Sequence, residues 1–219
     1  TFALRAWCTL SSSQYTVREL NTSFVRHLPG RVIDLVKRRW SRHLIITALI
    51  EGTVFFAGLA YMGAFLRETF TLSYAKIGLA VACVGLGGLI YILIVKHIIR
   101  LLGERGMILS GGLIMAMGYV TFVFIPEPKW VYPLLTVTGF GMYVMHNTLQ
   151  TLATEIAPNA RGTALALFAF VLMSGQGIGV ALYGVIIDGV GYMAAYSSAA
   201  IVIALLATWF QSTLKDTKS

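Results

Sequence analysis

Six stretches nearly free of charge run through the chain, at about 44–66, 77–95, 107–125, 131–153, 163–187 and 193–210. Each approaches the ~20 residues that carry a helix across the hydrocarbon core of a bilayer. Glu51 is the one formally charged residue inside them, and His146 their one imidazole. The connections are short, and Pro126, Pro128 and Pro158 fall in or beside them, where helices stop. Membrane strands would instead alternate apolar and polar positions over about 10 residues. The pattern predicts an all-α membrane protein with six transmembrane helices.

Residues 1–43 form the one long polar region, 44–212 the six-helix bundle and 213–219 a short tail. Within the first, Ser11 to Ser13 and Pro29-Gly30 read as loop. Val32, Val36 and Trp40 then recur at helical spacing among Lys37, Arg38, Arg39 and Arg42. That spacing suits a basic helix lying on the membrane interface, and a solvated basic loop fits equally well.

Composition agrees with the pattern. The chain is 57% hydrophobic and only 12% charged, against about 25% charged in ordinary soluble domains. Its formal charge of +8 could suit nucleic acid or an anionic membrane surface. Location decides between them. Of the 17 basic residues, Arg67, Lys76 and Lys129 alone fall on one side of the predicted bundle, and the other 14 on the opposite side. Basic residues collect on the cytoplasmic side, so both termini are expected in the cytoplasm, and nucleic acid is not needed to explain the charge. Cys8 and Cys83 lie far apart, which predicts neither a disulfide framework nor a metal site, and no cofactor is expected. Residues 1–10 lack the pattern of a secretory signal. Because the chain opens on Thr1, it is expected to be part of a longer protein.

Split three and three, the helices show a weak internal symmetry. The first of each triple carries the polar groups: Glu51 in one, His146, Asn147 and Gln150 in the other. The second of each is rich in glycine: Gly78, Gly85, Gly87 and Gly88, then Gly175, Gly177, Gly179 and Gly184. The third of each is the least polar. Triples of odd number run in opposite directions, which gives two inverted three-helix repeats, an arrangement common in secondary transporters.

Two short patterns carry a family resemblance. Glu155-Ile-Ala-Pro158-Asn-Ala-Arg161-Gly162 precedes the glycine-rich fifth run and resembles the ExxPxxxRG turn of the major facilitator superfamily, with one residue fewer before the arginine. The connection holding Lys96, Arg100, Gly103, Glu104, Arg105 and Gly106 resembles that family's G-xxx-D-R-x-G-R-R loop. Aligned on Gly103, its aspartate position falls on Arg100 and its first glycine on Lys96. The match covers about residues 31–212 and is similar to the carboxy-terminal six-helix half of such a transporter with its central cytoplasmic loop. The resemblance implies a cavity lined by the first helix of each triple, an interface shaped by the second, and an amino-terminal six-helix half as partner. It also implies a multi-pass plasma membrane protein, the inner membrane if bacterial.

Several residues are candidates for chemistry. A carboxylate inside a spanning helix costs about 2.5–3.5 kcal/mol on insertion scales, so Glu51 is expected to serve in coupling or substrate binding; its structural alternative is a bond to a neighbouring helix. Gly139, Tyr143, His146, Asn147 and Gln150 share one helical face, which must meet protein or water rather than lipid. Gln176 is a further candidate on the fifth run. Arg100, Gly103, Arg105, Glu155 and Arg161 are expected at a cytoplasmic gate, with ordinary loop charges as the bland reading. Gly85, Gly88, Gly175 and Gly179 are expected to let helices pack closely. An intramembrane serine hydrolase built on Ser174 and His146 is disfavoured, because Ser174 stands in MSGQG rather than GxSxG. The leading expectation is a secondary transporter of a small solute, with proton-coupled efflux or uptake. The alternative is a non-transporting membrane remnant or assembly subunit.

Overall fold

The computed structural model describes Gly30 and residues 32–158 and 160–217, with no side-chain detail beyond Leu214. Among these residues the chain is helical apart from short connections, with no strand. Helix α1 covers Arg39–Glu51, a π-helical turn covers Gly52–Phe56, and α2 continues over Ala57–Phe70. Helix α3 covers Tyr74–Val123, a 3-10 turn Pro128–Trp130, α4 Val131–Ile156 and α5 Arg161–Thr217. Three of these stretches are long and apolar enough to cross a membrane: Arg39–Phe70, Tyr74–Val123 and Arg161–Leu214. Their outward residues suit lipid contact, since Leu79, Leu93, Leu101, Phe170, Val185 and Leu205 are more than half exposed. At 26 residues α4 is about 39 Å long, but His146, Asn147 and Gln150 keep its mean hydropathy low.

The sequence pattern predicts separate second and third runs, and separate fifth and sixth runs. The structure joins each pair into one long helix broken at a single glycine. Gly103 has φ 60°, ψ 178° and Gly191 has φ 88°, ψ 173°, a region that essentially only glycine occupies. The contacts on either side of Gly103 show a reversal. Before it, Val84 lies against Gly139, Gly88 against Tyr143 and Tyr91 near Asn147, so numbers rise together. After it, Met107 meets Thr148, Gly111 meets Met145 and Gly118 meets Thr138, so they run oppositely. Helix α5 behaves alike. Gly175 sits on Leu49 and Gly179 on Thr53 before the break, whereas Tyr192 meets Phe65 and Trp209 meets His43 after it. Each long helix therefore folds back on itself.

Small residues set how closely these arms approach. A methyl group on Gly175 or Gly179 would strike the backbone of Leu49 or Thr53, and one on Gly88 would meet the Tyr143 ring. Gly85 is exposed, with nothing among the described residues within 4 Å of a methyl group added there. Gly87 takes the packing position instead, against Thr136 and Phe140. Around the π turn, three tyrosines donate to backbone carbonyls: Tyr119 to Phe55 (2.6 Å), Tyr196 to Gly58 (2.7 Å) and Tyr61 to Val180 (2.8 Å). A π turn disturbs the regular i→i−4 ladder, and buried carbonyls near it need such partners.

The basic segment differs from its predicted face. Residues 32–37 are helical, the chain bends at Arg38, and α1 starts at Arg39. Leu35 is the buried residue, packed with Ala157 and Ala164, whereas Val36 is exposed. The bend shifts the register, so Val32, Val36 and Trp40 do not form one stripe. Arg38 donates to the Ile156 carbonyl (3.3 Å), and Arg105 to that of Leu214 (2.8 Å). These bonds place the basic segment, the bend at Gly103, the end of α4 and the end of α5 at one end of the bundle.

Candidate functional site

Glu51 is the last residue of α1, directly before the π turn, and its solvent exposure is 0%. Its Oε1 lies 3.1 Å from Nδ1 of His146 on α4. Its Oε2 is buried with no hydrogen-bond partner among the described residues. Two residues separated by 95 positions thus form one pair. A carboxylate this far from water is costly unless partnered and hydrogen-bonded, and the imidazole supplies half of that requirement. Ion pairs among the described residues are this one, if His146 is protonated, and the surface pair Lys129–Glu127.

The two partners differ in access. The His146 side chain keeps 16% of its exposure and that of Glu51 1%. His146 also lies 5.7 Å, ring to ring, from Phe168 of α5. The pair can therefore hold a proton between a carboxyl oxygen and a ring nitrogen, with the imidazole as its accessible member. Either group can be the donor: an ionised Glu51 accepts from Nδ1–H, and a neutral one donates to a bare Nδ1.

The rest of the polar stripe sits beside His146. Tyr143, Asn147 and Gln150 are all half-buried, and Asn147 is within hydrogen-bonding reach of Tyr91 on α3. Gln176 is half-buried on α5. Half-burial at these four polar positions means that the described residues do not fully cover them. A small apolar cavity between α1, α4 and α5, lined by Leu35, Leu44, Ala153, Ala164 and Phe168, meets the site only through the Phe168 ring.

The gate candidates are spread along the basic end. Arg100, Glu155 and Arg161 are exposed, Gly103 makes the bend, and Arg105 binds the Leu214 carbonyl. No ion pair among the described residues draws them together. The sequence reading missed the π turn and the bond that Tyr119 donates to its backbone at Phe55. The one available signal was Gly52 directly after Glu51, a glycine whose added methyl would meet the Leu172 carbonyl.

The comparisons with known proteins agree on one family. Residues 14–180 match the model of the Major Facilitator Superfamily. An uncharacterized MFS-type transporter of Bacillus subtilis (strain 168), YceJ, is 25% identical over 174 residues, covering 80% of this chain. The chain spans only 45% of that relative's length. With most of its length matched, this chain belongs to the major facilitator superfamily.

Proposed function

We propose that the chain is one half of a secondary transporter that moves a small solute across a membrane. Its helices form six crossings arranged as two inverted triples, and the bends at Gly103 and Gly191 are the reversals inside them. Its partner is an amino-terminal half of the same protein, which supplies the opposite wall. Both termini and the bend at Gly103 face the cytoplasm, because the end of the bundle holding that bend also carries most of the described basic residues, among them Arg38, Arg39, Arg42, Arg100, Arg105 and Arg161. A location in a plasma membrane, the inner one if bacterial, follows from the same reading.

The observation that carries the proposal is the half-buried stripe of Tyr143, His146, Asn147 and Gln150, backed by the buried Glu51. Polar groups at membrane depth need protein or water in front of them. A cavity shared by two halves provides both. Gln150 and Gln176 offer amide donors and acceptors to a solute, and Glu51 with His146 exchanges the proton that couples its movement. Arg100, Arg105, Glu155 and Arg161 act at the cytoplasmic gate.

The test is uptake into proteoliposomes holding the full-length protein, screened over small solutes with and without an imposed pH gradient. Accumulation of a solute that depends on the gradient supports the proposal. Its absence for every solute, by a protein shown to be folded, would contradict it.

A further inference from the structure

Helix α1 begins against the usual charge rule. Helix N-termini carry partial positive charge and favour acidic neighbours, yet the first turn of α1 has no acidic residue and no side-chain cap. Arg38, Arg39 and Arg42 stand there instead. Arg38 is used by the Ile156 carbonyl. Arg39 and Arg42 are exposed and have no ion-pair partner among the described residues. Both lie close enough to act electrostatically on His43. Asp34, the nearest carboxylate in sequence, pairs with none of them. Three cationic or protonatable groups thus crowd one helix start with no anion paired to them among the described residues.

What lies beside this cluster identifies the anion. Arg39, Arg42, His43 and Ile46 follow at i, i+3, i+4 and i+7, which puts them on one face of α1. The His43 ring meets the edge of Trp209 on the last arm of α5, at 5.4 Å and 82°. Trp209 is 40% exposed. One turn further into the bundle along these oppositely running helices, Ile46 and Leu205 are 44% and 63% exposed. The cations lie just outside the apolar run that begins at Leu44, at the depth of lipid headgroups, and tryptophan concentrates at that depth. The cationic rim is followed, one turn further along each helix, by an exposed aliphatic side chain on α1 and another on α5. Free phosphate would use the rim only, whereas a phospholipid uses both.

We propose that Arg39, Arg42, His43 and Trp209 form the headgroup site of an anionic phospholipid whose acyl chains lie along Ile46 and Leu205. The bound phosphate supplies the negative charge that the start of α1 lacks. It ties α1 to the last arm of α5 at the end of the bundle where Arg38 and Arg105 also make their bonds. The inference rests on the chain lying in a bilayer.

The test uses the full-length protein in nanodiscs, with Trp209 as the fluorophore of this chain after Trp7→Phe, Trp40→Phe and Trp130→Phe. Phosphatidylglycerol and phosphatidylcholine with brominated chains are compared as quenchers at equal mole fraction. Preferential quenching by the phosphatidylglycerol is expected. Each basic residue near a membrane surface is worth about 1 kcal/mol, so Arg39→Gln with Arg42→Gln should lower the preference about 30-fold. Lys37→Gln, exposed on the segment before the bend, should leave it unchanged. Equal quenching by the two lipids overturns the site, as does a preference that survives the double variant. A loss with Lys37→Gln as large as with either arginine marks general surface charge, and a preference abolished by inorganic phosphate marks a free-anion site; both overturn it. Failure of the membrane reading looks different, since Trp209 would then be quenched by neither lipid, and that result overturns the site as well.

Discussion

Substituting Gly179 with alanine probes a close backbone junction between α5 and the π turn. A methyl group there would lie 2.7 Å from the carbonyl carbon of Thr53 and 2.8 Å from its Cα, with the Thr53 oxygen nearer still. Comfortable carbon–carbon contact needs about 3.5–4.0 Å, so α5 must retreat from the π turn by roughly 1 Å. The obstacle is backbone, which cannot turn aside as a flexible side chain does. Overpacking of this kind costs about 1–3 kcal/mol. Alanine returns about 0.5–1 kcal/mol of helix preference, which leaves a net loss of about 1 kcal/mol at the middle of these ranges. Gly177, two residues earlier, has nothing within 4 Å of its added methyl. Gly177→Ala should therefore be neutral or stabilising by about 0.5–1 kcal/mol. The assay is reversible unfolding in mixed detergent micelles, followed by tryptophan fluorescence, and the two variants should move the midpoint in opposite directions. A Gly179→Ala protein as stable as Gly177→Ala would refute the packing argument. Gly179→Leu, which adds far more bulk, should lower the folded yield outright.

Two further outcomes follow from the same geometry. Tyr119→Phe leaves the buried Phe55 carbonyl without its 2.6 Å donor and should cost about 1–3 kcal/mol in the same unfolding assay, with the helix content by circular dichroism unchanged. For topology, single cysteines at Glu127 and Lys96 are exposed to a membrane-impermeant thiol reagent on intact cells; Glu127→Cys should label and Lys96→Cys should be spared, and the reverse pattern overturns the orientation.

Helix content was legible because long uncharged runs leave little else for the backbone to do in lipid. The reversals were legible only as connections, since nothing in Arg100 to Gly106 announces that one glycine suffices. It takes the φ of 60° at Gly103 to see it. Glu51 and His146 each stood out as polar groups in apolar runs, yet their contact could not be read, because it depends on how α1 and α4 face each other across 95 residues. The glycines show the same limit: Gly85 and Gly87 look alike in the sequence, and only the position of α4 decides that Gly87 packs and Gly85 does not. The basic segment does not run on as one helix into α1, because a bend at Arg38 resets the helical register before Trp40.

The central claim is that Glu51, held by His146, carries the coupling proton. Glu51→Gln keeps the shape of the side chain and a group able to bond His146, while removing the exchangeable acid. In proteoliposomes holding the full-length protein and a solute found by the uptake screen, counterflow requires no net proton movement. The variant should retain counterflow and lose accumulation driven by a pH gradient. Full gradient-driven accumulation by the Glu51→Gln protein would contradict the account.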